Sequence, residues 1–486
     1  RHPTLLLLLD HQTYRHIVPY QAMASLSSIN LDNLPFYKQA GWSQDEQHFP
    51  YLLLTLAFTS FVFLLEISLD FRQLHKFSHN DGIPKELKEH VKEETFTKAI
   101  AYRKDLFSFK IVESIFSFAL SVAFMVYGYL PYVWDVSANT VFESSTSFLP
   151  LWIATSPYWK EVLVTWIFLV LFTLLDTVTT LPFSLYSTFV VEERHGFNKT
   201  TLPLFFQDKA MSLALMMAFS LPIIPVLIWI IRSGGPHFYL YVWMFLCTVS
   251  VFLMTIYPVW IAPLFNKYTK LEDGAVKTAI EDLAKSVSFP LTNIFSVDGS
   301  RRSAHSNAYF YGFFKNKRIV LYDTLLKQVD TEELLAILGH EIGHWKLWHT
   351  IQGFVISQFY TFALFWTFSY VQSTPALFTS FGFRYTEPMP VFIGLILFTQ
   401  TFWGPVDKIL SLLLTFNSRF NEFAADAFAV FLGKGNALAS GLIKISIENL
   451  DNMVPDRWYS MYHYSHPPLV ERLRAIEREQ ASKKHA

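Results

Sequence analysis

Seven long runs of apolar residues without charge recur along the chain, and they limit its fold more than any other feature. They span residues 51–65, 114–134, 162–175, 211–231, 238–265, 350–371 and 391–406. The third continues beyond Asp176 to residue 191, and the seventh continues beyond Asp407 and Lys408 to residue 416. The hydrocarbon core of a bilayer is about 30 Å thick, and about 20 helical residues cross it. The runs therefore predict an all-α multi-pass membrane protein with seven transmembrane helices.

The composition of the chain favours the same class of protein. Apolar residues make up 52% of the 486 residues and charged residues only 16%, whereas soluble domains contain roughly 25% charged residues. Buried helices of a large soluble protein are the alternative, but soluble cores rarely supply so many uncharged runs. The net charge of -1 creates no field that favours nucleic acid, so we expect no nucleic-acid partner.

The lysine and arginine residues between the runs predict the orientation in the membrane. Residues 66–113 contain nine of them and residues 266–349 contain eleven, whereas residues 135–161 and 372–390 contain one each. Basic residues concentrate in cytosolic loops. This alternation predicts a lumenal N-terminus and a cytosolic C-terminus. The terminal Lys483 and Lys484 also fit a dilysine retrieval signal of the endoplasmic reticulum.

Apolar and polar stretches divide the chain into five predicted segments. They are an N-terminal extension (1–48), five spans with their loops (49–265), a soluble catalytic segment (266–349), spans six and seven (350–416), and a C-terminal catalytic segment with a cytosolic tail (417–486). We expect Met23 to be the native start, which would make residues 1–22 a non-native addition.

The soluble segment carries alternating helix and strand signals. Residues 272–289 predict an amphipathic helix, and residues 293–297 predict a short strand. Residues 308–314 and 318–323 predict a strand–turn–strand unit, because they are rich in aromatic and β-branched residues. Thr331 is the predicted N-cap of a helix that runs on into the sixth span.

That helix contains the segment His340-Glu341-Ile342-Gly343-His344. Residues four apart share a helix face, so His340 and His344 can bind one metal ion. Glu341 lies beside them, where it can take a proton from water activated by the metal. Two histidines on an ordinary exposed helix are the alternative, but the apolar residues before His340 indicate burial. Two imidazoles with a carboxylate suit one Zn²⁺ ion, and the single cysteine, Cys247, excludes a cysteine-based site.

A third protein ligand has to come from elsewhere in the chain. His349 follows five residues after His344, a spacing that turns it well away from the face of His340 and His344. Glu422 and Asp426 share one face of an otherwise apolar helix predicted over residues 420–432. We therefore expect Glu422 to bind the metal and Asp426 to accept the free N–H of a ligating histidine. A solvated helix face is the alternative interpretation of these two carboxylates.

A hydrogen-bond donor for the developing oxyanion is expected from the segment of residues 461–468. It contains two histidines, His463 and His466, and Arg472 follows on the next predicted helix. The spacing alone does not choose between the two histidines.

Seven motifs together resemble one family, the type 1 CAAX prenyl endopeptidases, which are integral-membrane zinc proteases of the endoplasmic reticulum and inner nuclear membrane. The motifs are residues 181–186 (LPFSLY), 193–198 (ERHGFN), 261–265 (IAPLF), 305–314 (HSNAYFYGFF), 340–344 (HEIGH), 422–428 (EFAADAF) and 465–468 (SHPP). The resemblance covers residues 50–478 in order. It implies seven spans that form a barrel around a water-filled chamber, with a small gluzincin-like α+β zinc protease part on the cytosolic side.

The resemblance also implies a role for each candidate residue. The zinc ligands are His340, His344 and Glu422, and Glu341 is the general base. Asp426 supports the site or donates a proton, and His466 is the oxyanion donor with Arg472 alongside. The edge that pairs with the substrate peptide comprises Asn307, Ala308 and Tyr309.

The substrates implied by the resemblance are prenylated CAAX proteins in contact with membrane lipid. The enzyme would remove their C-terminal tripeptide and make a second cut further upstream. Family members also act on polypeptides jammed in translocons, so the alternative function is a quality-control factor with the translocon as partner. A protease that cuts transmembrane helices is disfavoured, because its Asp-Gly metal motif should lie in a span, whereas residues 273–274 and 298–299 lie in polar segments.

Overall fold

A computed structural model of the chain describes residues 50–144, 150–312, 316–384 and 388–485. The predicted N-terminal extension and Met23 lie outside these residues, as does Lys315 in the predicted turn. The main helices are α1 (Tyr51–Ser78), α2 (Glu93–Val126), α3 (Tyr129–Ser144), α4 (Pro157–Tyr186), α5 (Leu202–Ser233), α6 (Phe238–Ile256), α7 (Ala275–Ser286), α8 (Thr331–Lys346), α9 (His349–Val371), α10 (Val391–Phe398), α11 (Gly404–Phe431), α12 (Gly435–Glu448), α13 (Arg457–His463) and α14 (Leu469–His485).

Shorter helical segments extend or connect these helices. Three π-helical segments continue α4, α6 and α10, namely Ser187–Glu192, Tyr257–Ile261 and Thr399–Trp403. Short α-helical turns are Leu151–Ala154, Ala262–Phe265, Leu325–Gln328 and Pro375–Ser380. Within the described ranges, the four strands are β1 (Tyr268–Lys270), β2 (Leu291–Val297), β3 (Ala308–Tyr311) and β4 (Lys317–Tyr322).

Six helical stretches of the described residues are long and apolar enough to cross a membrane. They are α1, α2, α5 and α9, together with Pro157–Glu192 and Gly235–Phe265. Many of their apolar side chains face outward; Phe61 and Leu64 are each 63% exposed, and Met244 is 56% exposed. Soluble proteins rarely expose apolar patches of this size, so lipid is the environment that covers them. The chain is a mostly helical, multi-pass membrane protein.

Two of the predicted spans differ from the helices observed. The second predicted run does not form one helix, because α2 ends at Val126 and Gly128 adopts a φ of 64° before α3 begins. The seventh lies within α10, its π-helical continuation and α11, where Asp407 and Lys408 interrupt the apolar run. Lys408 Nζ lies 2.8 Å from Glu66 Oε1 on α1, which compensates one of these charges. The count of seven spans therefore stays a prediction.

The soluble part is built on a four-stranded sheet in the order β1-β2-β4-β3. β2 and β4 are parallel, whereas β3 pairs antiparallel with β4, as the strand–turn–strand pattern predicted. The predicted amphipathic helix is α7, and its Ile280 and Leu283 belong to the same buried core as Leu334 and Leu338 of α8. This core fixes α8 against the sheet and leaves β3 as an edge strand.

The ends of α8 differ from the prediction in two ways. Its N-cap is Asp330 rather than Thr331, because the Asp330 side chain accepts the N–H of Glu333 while the Glu333 side chain accepts the N–H of Asp330. At its other end, α8 stops at Lys346, and Trp348 adopts a φ of 64°. The expectation that α8 runs on into the sixth span is therefore wrong.

The C-terminal helix α14 packs against α11 and α12. Lys483 belongs to this helix and donates a hydrogen bond to the backbone carbonyl of Phe431 at 2.8 Å. This contact satisfies a carbonyl at the C-terminal end of α11.

Candidate active site

Helices α8 and α11 cross closely at the residues that sequence analysis singled out. A Cβ at Gly343 would lie 3.2 Å from the Cα of Ala425 and 3.2 Å from the Cβ of Phe428. Only glycine permits this approach without a shift of the neighbouring residues. The crossing brings the His340 and His344 side chains of α8 against Glu422 of α11.

Four donor atoms converge at this crossing. His340 Nε2 and His344 Nε2 lie 3.2 Å apart. Glu422 Oε1 lies 3.2 Å from His344 Nε2, and Glu422 Oε2 lies 3.5 Å from His340 Nε2. Ligand atoms about 2.0–2.2 Å from a tetrahedral zinc ion lie about 3.3–3.6 Å from one another. The nitrogen and oxygen atoms are therefore spaced as ligands of a single metal ion, and these three residues form a possible metal site.

The ionisable side chains at this site are buried and shift one another's pKa values. Glu422 is 3% exposed and His340 is 6% exposed. Burial would raise the pKa of Glu422, but hydrogen bonds from His340, His344 and His466 hold that pKa well below its usual range. Burial and Arg472 both lower the pKa of His340, but its hydrogen bonds with Asp426 and Glu422 outweigh them and raise it to about 9. Such a centre attracts cations, because its carboxylate stays ionised.

Asp426 lies one helical turn beyond Glu422 and contacts the other nitrogen of the same histidine. Its Oδ1 atom lies 2.8 Å from His340 Nδ1. Arg472 donates to both carboxylate oxygens, from Nε to Oδ2 at 2.9 Å and from Nη2 to Oδ1 at 2.6 Å. This fork pairs the guanidinium with a carboxylate that is 1% exposed. Arg472 therefore holds Asp426, which in turn orients His340.

Glu341 lies at the same cavity as the donor residues. It lines a cavity of about 320 Å³ together with Asn307, Ala308, His466 and Arg472. Burial raises the pKa of the Glu341 carboxyl above its ordinary value. A carboxylate with a raised pKa is better suited to take up a proton near neutral pH.

The two histidines of the C-terminal segment have different surroundings. His466 Nδ1 lies 3.0 Å from Glu422 Oε2. The His466 side chain is 71% exposed and lines the cavity. The ring of His463 instead packs against Tyr459 and Tyr462. Of the two candidates for an oxyanion donor, the structure brings His466 to the metal-site residues.

The predicted substrate edge lies on β3. The backbone N–H of Ala308 donates to the side chain of Asn307 at 2.8 Å rather than to β4. The adjacent carbonyl of Asn307 accepts the N–H of Tyr322 on β4. The N–H of Ala308 therefore points away from β4. Tyr309 contacts the Tyr268 hydroxyl at 3.0 Å and does not line the cavity.

His349 lies beside His344, closer than the helical spacing predicts, although it is not among the donor atoms that converge. Its Nδ1 atom is 2.9 Å from His344 Nδ1. The prediction that His349 points away from His344 assumed one continuous helix, whereas α8 ends at Lys346. The unusual backbone at Trp348 has no signal in the sequence, because tryptophan is not a helix-breaking residue.

Comparisons with known proteins agree with this fold. Residues 73–267 match the family described as "CAAX prenyl protease N-terminal, five membrane helices", and residues 270–480 match Peptidase family M48. Together with the apolar helices and the His340, His344 and Glu422 donor set, these matches define a membrane metalloprotease.

Curated relatives and a solved structure show to which family of membrane metalloproteases the chain belongs. The chain is 44% identical to a CAAX prenyl protease 1 homolog of Oryza sativa, over 90% of this chain and 99% of the relative. It is 37% identical to CAAX prenyl protease 1 of Saccharomyces cerevisiae, over 91% of this chain and 98% of the relative. The crystal structure of S. mikatae Ste24p superimposes with a TM-score of 0.82 at 38% identity, covering 88% of this chain and 99% of that one. The chain belongs to the CAAX prenyl protease 1 family.

Proposed function

We propose that this protein is a zinc-dependent endopeptidase that removes the C-terminal tripeptide from prenylated CAAX proteins and makes a second cut upstream. The observation that carries the proposal is the spacing of the His340, His344 and Glu422 donor atoms, which lie 3.2 to 3.5 Å apart. The substrate class comes from the relatives, which are named CAAX prenyl proteases.

Zinc is the proposed metal because two imidazoles and one carboxylate are a ligand set that it accepts, with a fourth position left open. When bound, zinc supplies a Lewis acid that polarises the scissile carbonyl and lowers the pKa of water toward ~7. His340 and His344 would offer their Nε2 atoms, and Glu422 its carboxylate oxygens.

Glu341 is the proposed general base. It lines the same cavity as the donor residues, so its carboxylate can accept a proton from water there. The same carboxyl then donates that proton to the leaving amine. Burial raises the pKa of Glu341 above its ordinary value, which strengthens its carboxylate as the acceptor of the proton that it later donates.

His466 is the proposed donor to the oxyanion that forms on the scissile carbonyl. Its side chain lies at the cavity, 3.0 Å from Glu422. Arg472 is engaged by Asp426 through two hydrogen bonds, so we assign it a supporting role beside His466. Asp426 keeps the His340 ring in the orientation that presents Nε2 to the metal.

The outer edge of β3 is the proposed binding surface for the substrate backbone. β3 is the last strand of the sheet, and the N–H of Ala308 does not donate to β4. An extended peptide can add to such an edge as a further strand. Asn307 and Ala308 line the cavity, whereas Tyr309 would support the strand from its contact with Tyr268.

The proposed location is the endoplasmic reticulum membrane, and also the inner nuclear membrane. The N-terminus would be lumenal and the C-terminus cytosolic, as the basic residues predict. This orientation would put the metal site on the cytosolic side, where prenylated proteins reach it together with membrane lipid.

A cleavage assay on the full-length protein tests the proposal. Purified protein in detergent should cut a farnesylated CAAX peptide, cut the unprenylated peptide far more slowly, lose activity with a chelator and regain it with zinc. The variant Glu422→Gln should hold less zinc and remain inactive after zinc is added. Equal cleavage of both peptides would contradict the substrate class, and full activity of the metal-depleted protein would contradict the zinc mechanism.

A further inference from the structure

The turn between α8 and α9 contains a strained residue. Trp348 has φ 64° and ψ 19°, in the left-handed region, which bulky residues rarely adopt. The residue is 65% exposed, so packing of its side chain does not explain the conformation. Strained backbone of this kind persists where the surrounding structure requires it, often at functional sites.

The effect of this turn is to move His349 beside His344. Five residues along a continuous helix, His349 would lie about 140° around the axis from His344. In the structure, the Nδ1 atoms of the two histidines lie 2.9 Å apart. Their ring centroids are 5.1 Å apart, with the planes at 69°. The rings therefore meet edge to face through a nitrogen–nitrogen contact.

We infer that His349 is a positioning residue that accepts the Nδ1–H of His344 and so fixes Nε2 of His344 as the metal-binding atom. The inference rests on the proposed metal site. His344 Nε2 is the atom that lies 3.2 Å from His340 Nε2 and 3.2 Å from Glu422 Oε1. A neutral imidazole that offers a lone pair at Nε2 carries its hydrogen at Nδ1, and that hydrogen points to the acceptor on His349.

His340 follows the same arrangement with a different partner. Its Nε2 atom faces the donor cluster, and its Nδ1 atom lies 2.8 Å from Asp426 Oδ1. Each of the two histidines thus has one nitrogen directed at the cluster and the other held by a hydrogen-bond partner, as is usual for metal-binding histidines. The partner of His340 is a carboxylate on α11, whereas the partner of His344 is a neutral acceptor at the start of α9.

His349 is the first residue of α9, so the contact also connects the metal site to a membrane helix. His344 and His349 line a second cavity of about 560 Å³, which is bordered by residues of α9 and α11. A displacement of the start of α9 would move the acceptor away from His344. The position of α9 would therefore change the affinity of the site for the metal.

Three variants of the full-length protein test the inference. His349→Ala removes the acceptor, whereas His349→Asn keeps an acceptor oxygen near the position of Nδ1. His344→Ala removes the proposed ligand itself. Each protein is stripped of metal, its zinc dissociation constant is measured by competition with a chromophoric chelator, and the melting temperature of the stripped protein is measured separately.

The expected result is a zinc affinity about 10–100-fold weaker for His349→Ala, with most of the loss restored in His349→Asn. The melting temperature of the stripped protein should change little in either variant. Wild-type affinity in His349→Ala, or equal losses in both His349 variants with a lowered melting temperature, would overturn the inference. Wild-type zinc affinity in His344→Ala would instead overturn the proposed metal site, so the two failures are distinguishable.

Discussion

His340 and Asp426 lie 86 residues apart in the sequence, yet His340 Nδ1 lies 2.8 Å from Asp426 Oδ1. The contact joins α8 to α11, and Arg472 from α14 donates two hydrogen bonds to the same carboxylate. Three separate helices thus determine the orientation of one imidazole. The carboxylate balances the arginine charge at a site where both are largely excluded from water.

The substitution Asp426→Asn should damage the site in two measurable ways. It keeps the shape of the side chain but removes the charge that pairs with Arg472, and an unpaired buried charge costs about 3–5 kcal/mol. We expect the free energy of unfolding to fall by about that amount and the zinc affinity to fall about 10–100-fold. Denaturant unfolding and chelator competition measure the two effects. Asp273→Asn, in an exposed pair with Lys277, is the control and should change neither quantity.

The substitution Glu341→Gln should separate chemistry from metal binding. The amide cannot accept a proton, and loss of a general base typically lowers kcat about 10²–10⁴-fold. Zinc content should stay at the wild-type level, because Glu341 is not among the proposed ligands. Glu332→Gln on the same helix is the matched control, since Glu332 is 73% exposed and pairs with Lys434. A Glu341→Gln enzyme that retains wild-type kcat would remove Glu341 from the mechanism.

Metal loading should depend steeply on pH. The pKa of His340 in protein stripped of metal is raised to about 9 by its carboxylate partners, so below that pH the metal has to displace a proton. We expect the apparent zinc affinity to rise about tenfold per pH unit from pH 7 to pH 9 and then to level off. Protonation of His340 also stabilises the folded, metal-free protein. This stabilisation is fully present below about pH 6.5, the pKa of histidine in the unfolded chain, and is lost as the pH rises through 9. Isothermal titration at several pH values measures the slope, and a flat profile would contradict the raised pKa.

Much of the fold could be predicted from the sequence because lipid-facing helices need long uncharged runs. Hydropathy does not reveal helix ends inside an apolar stretch, so the sequence does not predict the break at Gly128. Hydropathy also does not show which charged residues have partners on other helices, as Lys408 has in Glu66. Hydropathy describes a segment in isolation, whereas both features depend on the neighbouring chain.

In the candidate site, too, the sequence predicts the features that depend on local spacing but not those that depend on contacts between distant segments. The i, i+4 spacings placed His340 with His344, and Glu422 with Asp426, on common helix faces. The meeting of these two faces depends on the close crossing at Gly343, which no local pattern specifies. The contact of His349 with His344 depends on the left-handed backbone at Trp348, which the spacing of the two histidines does not predict.

The outer edge of β3 offers a test of how substrate binds. Ala308→Pro removes the N–H that points away from β4, so the sheet should persist, since proline is tolerated on an edge strand. In the free protein this N–H donates to the Asn307 side chain, so the peptide would replace that partner. Loss of the hydrogen bond to the peptide should raise KM, by at most about tenfold, with kcat little changed. Ala308→Ser keeps the N–H and should leave KM unchanged, which separates the backbone from the side-chain volume. Equal KM values for the proline and serine variants would show that the substrate does not pair with Ala308, provided that zinc content and melting temperature match the wild type.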